Sequence, residues 1–174
     1  NCRPSNNEGE QVFRFNWNTP FLISPHDPSV LWMGGQYVFR LYEHGDKWQR
    51  VSPDLTTNDP KKMATGGSGA EQHCTIVALS ESPARAGVLW AGTDDGRVWV
   101  SPDAGKSWRD VTANVKGVPQ GLYVSCVDAS PLDAETAYLS FDGHRSDDVS
   151  PYVFVTHDQG KSWTSLAAGL RKDA

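Results

Sequence analysis

Apolar residues in this chain fall into short runs separated by polar turns, and the runs recur in sets of four. The first set is Phe21-Leu22-Ile23, Val30-Leu31-Trp32-Met33, Tyr37-Val38-Phe39-Arg40-Leu41 and Trp48 to Val51. The second is Thr75-Ile76-Val77-Ala78-Leu79, Val88-Leu89-Trp90-Ala91, Val98-Trp99-Val100 and Trp108 to Val111. The third is Val124-Ser125-Cys126-Val127, Ala137-Tyr138-Leu139-Ser140-Phe141, Tyr152-Val153-Phe154-Val155 and Trp163 to Leu166. Aromatic and β-branched residues dominate these runs, which suits strands. Ser24-Pro25-His26-Asp27-Pro28, Ser82 to Gly87 and Ser130-Pro131-Leu132-Asp133 separate the first run from the second, and their Pro and Asp residues favour turn angles. No segment keeps a helical apolar period over three turns.

The third and fourth runs of each set are joined by a recurring octapeptide. Ser101-Pro102-Asp103-Ala104-Gly105-Lys106-Ser107-Trp108 and Thr156-His157-Asp158-Gln159-Gly160-Lys161-Ser162-Trp163 share one pattern. A weaker copy is Leu41-Tyr42-Glu43-His44-Gly45-Asp46-Lys47-Trp48, which departs at Leu41, Glu43 and Lys47 and predicts a less regular turn. The acidic positions 43, 103 and 158 lie 60 and 55 residues apart, a long-period repeat. The carboxylate can accept N–H bonds within its own loop, and the Gly supplies a positive φ. Ser101, Asp103, Gly105, Ser107, Trp108, Thr156, Asp158, Gly160, Ser162, Trp163, Glu43, Gly45 and Trp48 therefore read as structural.

Four strands per repeat joined by tight turns is one propeller blade. The expectation is an all-β fold, a β-propeller of about three four-stranded antiparallel blades spanning 1–174. Blade one covers about 17–54, blade two about 74–114 and blade three about 122–170, with 11–15 as the last strand of a preceding blade. Propellers usually close with about four to eight blades. The arc therefore reads as a piece of a longer protein that begins at Asn without a signal segment, or as a unit closed by further copies of itself.

Charge and cysteine content narrow the partners. Net charge is −5 with both signs interspersed and no basic stripe, which argues against duplex nucleic acid. No run approaches the ~20 apolar residues of a membrane span. Cys2, Cys74 and Cys126 have no metal-ligand spacing. Cys126 reads as a small buried strand residue, and a Cys2–Cys74 disulfide stays open. The Gly66-Gly67-Ser68-Gly69 run lacks the Lys-Ser or Lys-Thr of a phosphate loop.

The octapeptides resemble the BNR or Asp-box repeat of sialidases, xyloglucanase-type glycoside hydrolases and sortilin-type receptors. The stretches Asn16 to Phe21, Leu89 to Gly96 and Phe141 to Asp148 make the wider chain similar to large secreted bacterial propeller proteins related to the sortilin N-terminal domain. That resemblance implies a secreted or periplasmic location and a protein, peptide or glycan ligand.

Ligand-binding candidates lie on the face opposite the octapeptides. They are Asp94, Asp95 and Arg97 in a tight turn expected to be a primed hairpin, and Asp142, His144, Arg145, Asp147 and Asp148 in an insertion. The insertion is either a ligand site facing the propeller mouth or an internally salt-bridged loop. Its oxygens suit Ca2+, although the EF-hand spacing is absent, and no other cofactor or metal is expected. The linkers Ser52 to His73 and Thr112 to Tyr123 border the same face. Trp17, Trp32, Trp90 and Trp99 read as a sugar-stacking platform or as core between blades. No catalytic residue stands out. Arg14, Arg40, Arg50, Arg85, Arg97, Arg109 and Arg145 form no recurrent triad for a sialidase, and nothing singles out a carboxylate pair about 5 to 10 Å apart. The sortilin-type resemblance implies a non-enzymatic extracellular scaffold, with a glycoside hydrolase, implied by the sialidase and xyloglucanase resemblance, or a structural part of a surface assembly as alternatives.

Overall fold

The structure is a computed structural model that describes residues 4–6, 9, 12–64 and 72–170. Cys2, Gln11, the Gly66 to Gly69 run and residues 171–174 lie outside the described residues. The recurring runs form three four-stranded antiparallel sheets, with neighbours in chain order. Blade one holds β1 (Phe21–Ile23), β2 (Leu31–Gly34), β3 (Val38–Tyr42) and β4 (Lys47–Arg50). Blade two holds β5 (Ile76–Glu81), β6 (Leu89–Thr93), β7 (Val98–Ser101) and β8 (Arg109–Asp110). Blade three holds β9 (Tyr123–Ala129), β10 (Ala137–Gly143), β11 (Asp148–Thr156) and β12 (Thr164–Ser165). A one-turn helix, α1 (Pro60–Met63), sits in the first linker with Asp59 capping its N-terminus, a feature the apolar pattern did not announce.

Turn hydrogen bonds align the repeats residue by residue. Ser24, Ser82 and Ser130 each donate N–H to the carbonyl of Val30, Val88 and Thr136, all at 2.9 Å. Trp32, Trp90 and Tyr138 therefore occupy one position. Val51, Val111 and Leu166 likewise donate to Val38, Val98 and Val153, so Leu55, Val115 and Leu170 correspond four residues on.

Apolar side chains are buried chiefly between blades. Val30, Trp32, Val38 and Leu55 meet Ile76, Leu89 and Ala91 at the first junction. Val88, Trp90, Val98, Val100 and Val111 meet Val124, Val127, Leu139 and Phe154 at the second. Three of the four tryptophans considered above belong to this inter-blade core, and Trp17 is exposed. Phe13 and Phe15 pack on Tyr37, Phe39 and Leu41, covering the outer part of blade one's free face.

The same positions change character at the ends of the arc. Trp32 and Trp90 are 3% and 0% exposed, and Tyr138 is 45% exposed. Leu55 and Val115 are 0% and 8% exposed, against 51% for Leu170. Phe21 and Ile23 on the other end face are exposed too.

Two expectations are corrected. Cys126 is exposed rather than buried, because a register shift in the β9–β10 pairing leaves Ser125 as an extra residue. Val124 and Val127 then face the junction, and Cys126 faces the other way. The Asp94–Arg97 turn is not primed, since within it only Gly96 has positive φ. Cys74 is a free, buried thiol.

Candidate functional site

Antiparallel order sends the β2–β3 turns and the blade-to-blade linkers to one face, and the octapeptide turns to the other. The octapeptide loops are closed by their own side chains. Asp103 Oδ1 accepts from Ser107 N at 2.8 Å, and Oδ2 from the Ser107 hydroxyl at 2.6 Å. Ser101 Oγ accepts from Gly105 N at 2.9 Å. Asp158 repeats this with Ser162 at 2.9 and 2.6 Å, and Thr156 Oγ1 accepts from Gly160 N at 2.9 Å. The Ser162 hydroxyl and N–H hold the Asp158 carboxyl down at about 2, and the Ser107 hydroxyl lowers that of Asp103. The first copy lacks this network, as its departures foretold. Glu43 pairs with Lys47 at 2.7 Å instead, and Glu43 and His44 both take positive φ. Gly45 is buried in that turn, and Trp48 packs edge-on to Phe13 and Phe39.

On the opposite face a cavity of about 620 Å³ opens between blades two and three. Val115, Val118, Pro119 and Phe141 form its apolar part. Thr57, Asp59, Lys62, Asp95, Arg97, Asp110 and Gln120 supply polar groups. The first linker and the second linker thus converge over the Asp94–Arg97 turn.

Most charges in this cavity are committed. Asp95 accepts from Thr57 N at 2.7 Å, from the Thr57 hydroxyl at 2.6 Å and from the Thr93 hydroxyl. Burial alone would raise its pKa, but the Thr57 and Thr93 hydroxyl bonds outweigh that and lower it. Arg97 pairs with Asp110 at 3.0 Å. Asp94 turns away from the cavity, taking Thr75 N and its hydroxyl, both at 2.9 Å, and His73 Nδ1 at 3.1 Å. The Asp94 hydrogen bond raises the His73 pKa, and burial pushes the Cys74 thiol up to about 11.

The insertion residues gather elsewhere. Asp142, His144 and Asp148 line a separate cavity of about 530 Å³ on blade three. His144 Nδ1 bonds the Asp142 carboxylate, and its N–H lowers the Asp142 pKa. Asp148 accepts from Tyr152 OH at 2.7 Å and Ser150 N at 3.0 Å. Arg145 stacks over Tyr123 at 5.5 Å, and Asp147 takes a left-handed φ of 56° to close the turn. Phe141 lines both cavities, so the two candidate groups are neighbours rather than one site. Among the described residues, no group of three or more His, Cys, Asp or Glu is placed to hold a metal ion. Thr57, Asp59, Asp110 and Gln120 had not been singled out. Their signal was position, in the linkers that border the Asp94–Arg97 turn.

No protein-family model matches the chain. It is 28% identical over 88 residues to an oligoxyloglucan-reducing end-specific xyloglucanase of Emericella nidulans, covering 51% of this chain and 10% of that protein. It is 30% identical over 99 residues to vacuolar protein sorting/targeting protein 10 of Laccaria bicolor, covering 53% and 6%. The chain thus spans a tenth or less of the curated relatives it matches. Among solved structures it is similar to a GH74 xyloglucanase from Xanthomonas campestris, with a TM-score of 0.59, 20% identity and coverage of 87% and 23%. It is also similar to YCF48 from Cyanidioschyzon merolae, with a TM-score of 0.54, 17% identity and coverage of 88% and 37%. Three antiparallel four-stranded sheets and these likenesses define the class: the chain is made of β-propeller blades. No helix among the described residues is long and apolar enough to cross a membrane.

Proposed function

We propose that this chain is a non-catalytic binding segment of an exported β-propeller, secreted or periplasmic. Its ligand is a glycan, peptide or protein segment held in the cavity between blades two and three. The observation that carries this reading is the cavity itself: an apolar wall with convergent polar groups, the usual make-up of a ligand site. Its carboxylates support binding over proton transfer. Asp95 is tied to two threonines, Asp110 to Arg97, and Asp59 to the α1 N-terminus. Lys62 and Gln120 remain to meet a ligand. The exposed end faces support further blades, from the parent chain or from another copy, as partners of the arc. The octapeptides act as Asp boxes with a structural role. The insertion loop, with Asp142, His144 and Arg145, flanks the same mouth.

A second reading, a glycoside hydrolase, is favoured by the xyloglucanase likeness. A panel of oligosaccharides and peptides, tested for binding and for turnover on the full-length protein, separates the two. Binding without cleavage, weakened by Lys62→Ala and Gln120→Ala at unchanged Tm, is expected. Cleavage of a glycosidic bond would replace this reading with the second.

A further inference from the structure

A groove of about 490 Å³ lies at the first junction, between β4 and the octapeptide turn of blade two. Arg40, Gln49, Arg50, Pro53, Lys106 and Trp108 line it, and no carboxylate does. Arg40 stacks on Trp32 at 5.8 Å on the junction side, whereas the Arg50 guanidinium lies over Tyr37 at 4.8 Å on blade one's other face, so Arg40 and Lys106 carry the groove's charge. Among the described residues, the ion pairs go to other cations and none takes Arg40, Arg50 or Lys106. Two acids feel these charges and are already committed. Asp27 accepts from Ser29, and Asp103 accepts from Ser101 and Ser107. The Nε of Arg40 is buried without a hydrogen-bond partner. A buried charged donor left alone costs free energy, so its presence needs a reason.

The repeat shows that the fold does not supply one. Strand pairing puts Arg40, Val100 and Val155 at one position, and Arg50, Asp110 and Ser165 at another. The other blades fill these positions without positive charge. The second junction is also plugged: Arg109 donates to Gln159 O at 2.6 Å, and Asn114 to Gly160 O at 2.8 Å. At the first junction the residue matching Asn114 is Asp54, which turns to Arg14 and Thr56. The groove is left open and positive.

We propose that this groove binds an acidic sugar, a saccharide unit bearing a carboxylate or sulfate. Arg40 and Lys106 supply charge-assisted donors for the oxyanion. Trp108 presents an indole fixed by its own bond from Nε1 to Val51 O at 2.8 Å, which with Pro53 gives an apolar surface for a sugar face. Gln49 adds an amide for hydroxyls. This site is separate from the cavity between blades two and three and stands whatever that cavity binds.

The test is calorimetric titration of the full-length protein with digalacturonate, a sulfated galactose disaccharide, a neutral disaccharide and a short Glu-rich peptide. One of the two acidic sugars is expected to bind, which one identifies the oxyanion, and the affinity falls as salt rises. The neutral sugar is expected not to bind. Arg40→Val installs the residue blade two already carries, so the fold is kept while affinity drops roughly tenfold or more, the loss expected for a charge-assisted bond. Lys106→Gln, at an exposed position, carries the same prediction should Arg40→Val fail to fold. Equal binding of the neutral sugar, binding of the peptide alone, or variants with unchanged affinity would overturn the proposal.

Discussion

At the first junction Trp32 donates its Nε1 to Glu81 Oε2 at 2.6 Å, and Trp108 donates to Val51 O. At the second, the equivalent Trp90 and Trp163 pack edge to face at 5.8 Å, and both indole N–H groups are buried without a partner. One repeat plan thus uses its tryptophans in different ways: at the first junction their N–H groups bond across it, and at the second the two rings pack on each other while Arg109 and Asn114 supply the polar bonds to blade three. The backbones also approach differently. A Cβ on Gly92 would lie 2.3 Å from Val124 Cγ1, whereas one on the matching Gly34 would lie 2.9 Å from Ile76 Cγ2. The lesson is that a repeat fixes where blades meet and leaves the chemistry of each meeting free. That freedom gives the first junction a positive groove and the second a mixed cavity on the opposite face.

The largest expected effect tests the close approach. Gly92→Ala forces β6 and β9 apart and should destabilise by about 2–3 kcal/mol, the upper part of the range for overpacking. Gly34→Ala should cost less, and denaturant midpoints of the two variants compare them directly. Equal costs would mean that the junctions are equally tight.

Next in size is the polar bond. Trp32→Phe removes a donor to the buried Glu81 and should cost about 1–2 kcal/mol, while Trp90→Phe removes an N–H that bonds nothing and should cost less. Thermal unfolding of the pair would break the comparison if the order reversed.

The smallest effect is an acid one. The Asp103 turn braces the first junction, where Gly105 packs on Val51, and the Asp158 turn braces the second, where Gly160 packs on Val111. Both carboxyls lie below their ordinary value of about 3.9, so their contribution is present above about pH 4 and is lost as pH falls. Asp158, held near 2 by Ser162, should keep its turn well below the ordinary carboxylate value. Backbone amide shifts of Gly105 and Gly160 followed from pH 5 to 2 would show it, and a Gly160 turn already lost near pH 4 would contradict it. Both groups are exposed and solvent screens them, so the change in Tm is small.

The strands were legible because their signal is local. Each run alternates or clusters apolar residues between turn formers, and β1, β2, β3 and β4 begin and end within a residue or so of the runs. The turn chemistry at Asp103 and Asp158 was readable for the same reason, since all its partners lie within four residues. Cys126 was misread because a bulge at Ser125 shifts the alternation, and a bulge depends on the partner strand. The candidate site was half legible. Asp95 and Arg97 line the cavity, but Asp94 points to Thr75 and His73, and adjacent acids in sequence gave no hint of which would face outward. Arg40 stood in plain view inside an apolar run, and only its alignment with Val100 marks it as unusual.

The sequence by itself determined three blades, their order and the two regular Asp turns, because strand pattern and turn bonding act over a few residues. Tertiary structure alone decided which charges were spent. Asp94, Asp95 and Asp110 found partners 13 to 38 residues away, or in a neighbouring strand, while Arg40 found none. Pairing over such distances depends on how blades pack, and packing sets the distance and burial that make one charge a strut and leave another open to a ligand.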